Sequence, residues 1–197
     1  MPKPPLISVE LKTPDTAEGA AAGILAGARD QLGFVPNMYA AMANLPAVLK
    51  QYSASYAAFR ETAGFTPAEQ ETVFLTISQA NDCHYCTAAH SMLADVMSGV
   101  PKDALEALRK GDTPADDRLG ALSEFTRRMT LLRGSVGKGD VDRFLAAGFT
   151  NQHVFGVILA IACKTFSNYT NHLVGTEVDA AMSAYALPSD DLAEATA

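Results

Sequence analysis

Residues 66–97 leave the backbone little choice beyond two helices joined by a sharp break. Thr66-Pro67-Ala68-Glu69 combines a hydroxyl cap, proline at the first helical position and a carboxylate three residues after the cap. The helix it opens is expected to run to about Ala80. Asn81-Asp82 then reads as a stop followed by a fresh cap, and Cys83 begins a second helix reaching about Met97. The same punctuation recurs along the chain. Helices are expected from Thr16 to Gln31, closed by Gly33 and Pro36, and from an Asn37 cap to about Ala63 with a break near Pro46. Pro101 opens a short helix, and Thr113-Pro114-Ala115-Asp116 opens one of about twenty residues. Gly134 to Gly139 is a loop, and helices follow over Asp140–Ala147 and from Thr150 to about Phe166. The chain after Pro188 is polar and expected to fray. Strand-like alternation is short, so the fold class is all-α.

A second pattern organises these helices. Ala63-Gly64-Phe65-Thr66 recurs as Ala147-Gly148-Phe149-Thr150, an offset of 84 residues. At the same offset Val73, Leu75, Ile77 and Tyr85 meet Val157, Leu159, Ile161 and Tyr169. This reads as a faint internal duplication of a helix pair inside one domain spanning residues 1–197, with repeats at about 37–100 and 114–185. Glu71, Cys83, Cys86 and His90 fall opposite Phe155, Ser167, Thr170 and Val174. Only the first repeat is therefore expected to carry reactive groups.

Composition narrows the function classes. Apolar residues make up 48% and charged residues 19%, as in a folded globular chain rather than a disordered one. The net charge of -7, without a basic stripe, argues against a nucleic-acid partner. The longest apolar stretch, Val154 to Cys163, falls well short of the roughly 20 residues a membrane span needs. Met1-Pro2-Lys3-Pro4-Pro5 lacks the apolar run of a secretory signal, and an odd count of three cysteines does not make a secreted disulfide framework. A cytoplasmic chain with mostly reduced thiols is the expectation.

The reactive side chains concentrate at Cys83-His84-Tyr85-Cys86, with His90 on the same helix face and Glu71 on the preceding helix. Two thiols one turn apart can close a disulfide. A helix start stabilises thiolate through its free N–H groups and dipole. His90, at i+4 from Cys86, can take the thiol proton, and Glu71 can hold the imidazolium or relay the proton. Acidification alone achieves little. Moving a thiol from a pKa of about 8.5 to about 6.5 raises its ionised fraction at pH 7 from about 3% to about 75%. The accompanying loss of nucleophilicity reduces the net gain to about two- to threefold. Proton delivery to the departing atom is the larger contribution expected of a Glu–His relay.

Other roles compete for these residues. Zinc could take Cys83, Cys86 and His90, with Cys163 or Glu71 as a fourth ligand. Cys163, in an apolar helix, reads as a packed core thiol. His84 is expected to face solvent, Tyr85 to line the site or to be a buried aromatic, and His172 to be a hydrogen-bonded structural histidine within reach of the site. Glu69 fits the capping box, which leaves Glu71 free for chemistry.

Glu71 followed by Cys83-x-x-Cys86-x-x-x-His90 resembles the alkylhydroperoxidase AhpD-like group of the carboxymuconolactone decarboxylase superfamily. Leu45-Pro46, Phe65-Thr66-Pro67-Ala68-Glu69 and Phe166-Ser167-Asn168-Tyr169-Thr170-Asn171-His172 resemble its peroxidase-related branch, and the likeness runs from about residue 35 to 182. The resemblance implies a multi-helix fold, a homo-oligomer (dimer, trimer or hexamer), and thiol peroxidase or disulfide reductase chemistry without metal or other cofactor. By position, Cys86 would attack a hydroperoxide, Cys83 would resolve the sulfenic acid, His90 would be the base and Glu71 the relay. An external dithiol would restore the thiols; the alternatives are a thiol–disulfide oxidoreductase and a non-enzymatic redox sensor whose disulfide changes its assembly. Tyr85 stands where the best-known members carry a histidine.

Overall fold

The computed structural model describes residues 4–187. Among them the order is α1 (Ala20–Leu32), α2 (Asn37–Met42), α3 (Pro46–Thr62), α4 (Pro67–Ala80), α5 (His84–Val96), α6 (Lys102–Lys110), α7 (Asp117–Leu131), α8 (Lys138–Ala146) and α9 (Asn151–Val174), closed by a 3-10 helix at Ala180–Tyr185. No strand occurs among the described residues, and the fold is all-α. The expected fraying after Pro188 lies outside the described residues.

The strongest start signal forms as its chemistry dictates. Glu69 N–H donates to Thr66 Oγ1 at 3.3 Å, and Thr66 N–H donates to Glu69 Oε2 at 2.8 Å. Elsewhere side chains find other partners and boundaries move. Thr13 and Thr16 bond each other's backbone in a local turn, so α1 begins at Ala20 rather than Thr16. Asn37 is the first residue of α2 rather than its cap. Its N–H is taken instead by the Asp179 carboxylate at 3.1 Å. Asp116 accepts from the N–H groups of Arg118 and Leu119 and starts α7 inside the expected segment. Gly134–Gly139 is only partly loop, because α8 starts at Lys138. The largest difference is α9, which continues to Val174 rather than ending near Phe166. The run 167–174 carries no glycine or proline, and Gly175 stops it at φ 63.

α4 is the central helix, with every residue from Glu69 to Ser78 buried. Helices α5, α6, α7 and α9 pack around it. Such a helix needs internal partners for its polar groups. Thr72 donates to Ala68 O at 3.0 Å, Ser78 to Phe74 O at 2.6 Å, and Thr76 to Ser123 Oγ at 3.3 Å. Phe59 and Phe74 are fully buried, with ring centroids 4.6 Å apart. Burying each such ring contributes roughly 1.5–3 kcal/mol. α9 passes the connection between α3 and α4 at Gly156, where an added Cβ would come within 2.9 Å of Ala63 Cβ and Phe65 Cε2. That close approach sets α9 against the site described next.

Candidate functional site

The site grows from the break between α4 and α5. Asp82 adopts φ 53, a left-handed conformation that reverses the chain. Cys83 N–H then donates to Ser78 O at 2.8 Å, and Cys83 becomes the cap of α5 rather than its first residue. Two contacts from α9 hold the break. His172 Nε2–H donates to Asp82 O at 3.2 Å, and Asn81 Nδ2 donates to Asn168 Oδ1 at 2.8 Å. His172 therefore fixes the turn that presents the thiols.

Folding back at this turn brings Glu71 to His90. Glu71 is fully buried and accepts from His90 Nδ1–H at 2.8 Å. Its other oxygen pairs with Arg60 of α3, which also donates to Tyr56 Oη at 2.6 Å and to Gln70 Oε1 at 3.0 Å. Burial pushes Glu71 up, but His90 and Arg60 outweigh it and hold the carboxyl below its ordinary value. Burial is also the main reason that His90 lies below the ordinary imidazole value, so the ring is neutral. With Nδ1 protonated toward Glu71, Nε2 is its basic nitrogen. Phe74 stacks on the imidazole at 4.7 Å and fixes its plane.

Both thiols are free and buried, at 1% exposure for Cys83 and 2% for Cys86. Their environments push them apart. Burial acts to raise Cys86, yet a hydrogen bond from Cys83, the charge of Lys164, His90 and a Ser167 hydroxyl hold it well below the ordinary thiol value. Burial and its neighbour Cys86 put Cys83 well above that value. Asn171 Nδ2 reaches both sulfurs, at 3.3 Å from Cys86 and 3.6 Å from Cys83. Cys163 keeps to the core, with burial pushing it up to about 12 and its S–H 3.9 Å from Tyr52 O.

The sulfurs face different spaces. Cys86 and His90 line a pocket of about 470 Å³ with Phe34, Met38, Tyr39, Tyr52 and Tyr56, rimmed by exposed Gln31 and Leu32. Burial holds all three phenols above the ordinary tyrosine value, so they are neutral O–H groups at physiological pH. Cys83 lines a cavity of about 30 Å³ with His84, Asn171 and His172. Tyr85 borders both spaces and is a buried aromatic as well as a lining residue; its hydroxyl donates to Asp179 Oδ2 at 2.5 Å. His84 is partly exposed and lies 3.4 Å from Asp82 Oδ1. Among the described residues, no group of three or more His, Cys, Asp or Glu side chains is placed to hold a metal ion. The zinc set of Cys83, Cys86 and His90 with Cys163 or Glu71 is thus not assembled.

The sequence reading brings together Glu71, Cys83, Cys86 and His90 but passes over Arg60, Lys164, Ser167 and Asn171. One signal was available: Lys164 is a single cation directly after the apolar run Val154–Cys163. Arg60, eleven residues before Glu71 on another helix, left no local trace.

These features define an all-helical protein with a buried dithiol beside a Glu–His pair. Residues 46–136 match the Carboxymuconolactone decarboxylase family model, a segment holding all four of those residues. The matched segment runs from α3 through α7, so the family likeness takes in the dithiol and the Glu–His pair. The chain is similar in structure to an AhpD-core, peroxidase-related protein from Ralstonia eutropha JMP134, with TM-score 0.77 and 21% identity over 90% of this chain and 95% of that one. A peroxidase-related protein from Silicibacter sp. TM1040 gives TM-score 0.75 and 20% identity over 91% and 94%. A substituted form of the debrominase Bmp8, in complex with 2,3,4-tribromopyrrole, gives TM-score 0.68 and 17% identity over 86% and 89%. No curated protein matches the chain. No single helix among the described residues is long and apolar enough to cross a membrane.

Proposed function

We propose that the protein is an enzyme, a thiol peroxidase that reduces small apolar hydroperoxides. The observation carrying this reading is the Cys86 sulfur in the wall of an apolar pocket beside His90, itself bonded to Glu71 at 2.8 Å. Cys86 thiolate attacks the terminal peroxide oxygen, the O–O bond breaks, and an S–O bond forms. The departing alkoxide takes a proton that His90 Nε2 draws from solvent water, replacing the one lost when Cys86 ionised, while Glu71 stabilises the transient imidazolium. Cys83 then attacks the sulfenic sulfur, releasing water and closing the Cys83–Cys86 disulfide. In sum, one hydroperoxide and two thiols give an alcohol, water and a disulfide. A dithiol reductant from outside restores the thiols. The neutral tyrosines of the pocket supply O–H donors for the peroxide oxygens.

Burial of both sulfurs favours small substrates over protein disulfides, which weakens the thiol–disulfide oxidoreductase reading. A second reading, reductive dehalogenation of an aromatic ring, is favoured by the tyrosine walls and by the structural likeness to the debrominase. It needs the same two electrons: an aryl bromide and two thiols give arene, hydrogen bromide and disulfide. Stopped-flow oxidation with cumene hydroperoxide, followed by mass spectrometry of the cysteines, tests the first reading. One Cys83–Cys86 disulfide per peroxide is expected, with turnover under dithiothreitol. Bromide release from a bromopyrrole without peroxide turnover would replace it with the second.

The proposal includes a cytoplasmic setting, which suits free thiols, and a homo-oligomer. Supporting the latter, Phe155, Ile158 and Tyr169 leave an apolar strip of α9 exposed, at 70%, 45% and 58%.

A further inference from the structure

Lys164 is the one charged residue of α9 that the folded chain hides, at 1% exposure. Its Nζ has no hydrogen-bond partner among the described residues. It lies 5.5 Å over the ring of Phe74, the ring that stacks on His90 from 4.7 Å. Lys164 also shares a face of α9 with Ser167 and Asn171, three and seven residues on, and both of those reach the Cys86 sulfur. An ammonium stripped of water and left without an acceptor is among the costliest groups a core can hold.

Charge balance around it leaves one candidate counter-charge. Arg60 and Glu71 neutralise each other. His90 is neutral and hydrogen-bonded to Glu71. Tyr39, Tyr52 and Tyr56, from α2 and α3, remain phenols. Burial keeps Cys163 and Cys83 protonated. The Asp179 carboxylate keeps its charge but is held by the Tyr85 hydroxyl and the start of α2. A neutral Cys86 thiol would leave Lys164 with no unengaged anion among the groups around the dithiol, Glu71 being taken by Arg60.

We propose that Lys164 is a positioning residue of the reaction, the counter-charge that keeps Cys86 as a buried thiolate in the reduced protein. This rests on the reading of Cys86 as the reacting sulfur. The pairing has a redox consequence. Closing the Cys83–Cys86 disulfide removes the anion and leaves Lys164 alone, so Lys164 favours the reduced form and makes the disulfide easier to reduce. Two segments far apart in sequence then divide the work: α5 supplies the sulfur and α9 supplies its charge.

The test reads ionisation and redox equilibrium rather than turnover, so it stands apart from the peroxidase reading. In the reduced protein, thiolate absorbance at 240 nm is titrated against the disulfide form. Lys164→Met, close in size and apolar, is expected to raise the Cys86 midpoint by at least one pH unit, a tenfold loss of thiolate below the midpoint. Its equilibrium with glutathione should move at least tenfold toward the disulfide, and Lys164→Arg should restore part of both. An unchanged midpoint in folded Lys164→Met overturns the proposal. If that variant does not fold, the unaltered protein decides by NMR of 13C-labelled lysine. The Lys164 signal should titrate at lower pH in the oxidised than in the reduced protein, and equal titration overturns the assignment. A lysine effect without peroxide turnover would instead leave the ion pair standing and remove the peroxidase reading.

Discussion

Residues 63–97 and 147–175 begin alike and end differently. Gly64 and Gly148 both sit at positive φ, 84 and 88. Phe65 and Phe149 are both buried, with rings 6.1 Å apart. Thr66 N–H is capped by Glu69 and Thr150 N–H by His153 Nδ1 at 3.0 Å, the two caps standing at matching positions. His153 Nε2–H reaches across to Gly64 O at 3.2 Å, so the two starts also touch. Beyond the starts they diverge. The first segment breaks at Asp82, whereas Phe166 at the matching place lies inside an uninterrupted helix. Glu71 is fully buried and its counterpart Phe155 is 70% exposed. Two helical segments with similar starts thus do two jobs. The broken one offers a helix start for two thiols; the continuous one brings Lys164, Ser167 and Asn171 to the same centre.

The largest expected effect comes from removing the pocket-facing thiol of the broken segment. Cys86→Ser should lower peroxide turnover by at least about a thousandfold, the nucleophile having no substitute. Cys83→Ser should still be oxidised once and leave a sulfenic acid that dimedone traps. Equal turnover by Cys86→Ser and the parent protein would refute the assignment of roles. Next comes Glu71→Gln, which leaves Arg60 facing a neutral amide. Breaking a buried pair costs about 3–5 kcal/mol, and Arg60 keeps 21% of its side chain exposed, so a loss nearer about 2–3 kcal/mol is expected by urea unfolding. The sign with pH follows. Glu71 is held below its unfolded value of about 4.3, so its stabilisation is complete above that pH and is lost as pH falls through the folded value. The acid limb of the stability curve should flatten in Glu71→Gln; an unchanged limb would mean that other carboxylates set it.

The broken segment was the legible one. Its break is written locally in Asn81-Asp82, its start in Thr66–Glu69, and its chemistry in residue types at helical spacing. The continuous segment hides its part because the apolar run that marks the helix ends at Cys163 while the helix goes on to Val174. Lys164, Ser167, Asn168 and Asn171 look like the end of such a run until a dithiol is placed opposite them. What a buried polar face means depends on its partner helix, and spacing along one helix does not carry that information. For the same reason Asn37 read as a cap. Its true partner, Asp179, lies at the far end of the chain.

A smaller effect concerns the thiol itself. Cys86 is held well below the ordinary thiol value, so its alkylation by iodoacetamide should level off at a lower pH than that of an ordinary thiol and decline on acidification. An ordinary thiol would instead gain about tenfold per pH unit below its midpoint of about 8.5. His90→Ala should slow peroxide oxidation more than alkylation, because alkylation leaves no alkoxide to protonate. Equal slowing of both reactions would place His90 in thiolate formation alone.

The smallest expected effect on the single chain is at Phe155, the exposed counterpart of Glu71. Its ring has little of the chain to pack against, so Phe155→Glu should change stability within about 0.5 kcal/mol. Assembly is where the substitution should register. If a second copy covers Phe155, Ile158 and Tyr169, a carboxylate placed among them loses its water on association and the oligomer should dissociate. Sedimentation velocity at a fixed concentration reads this directly. Dissociation with unchanged unfolding would mean that the continuous helix contributes one face to the dithiol and the opposite face to a neighbouring subunit. Unchanged sedimentation would leave the strip outside any interface, and the contrast with buried Glu71 would then reflect only which helix lies at the centre of the fold.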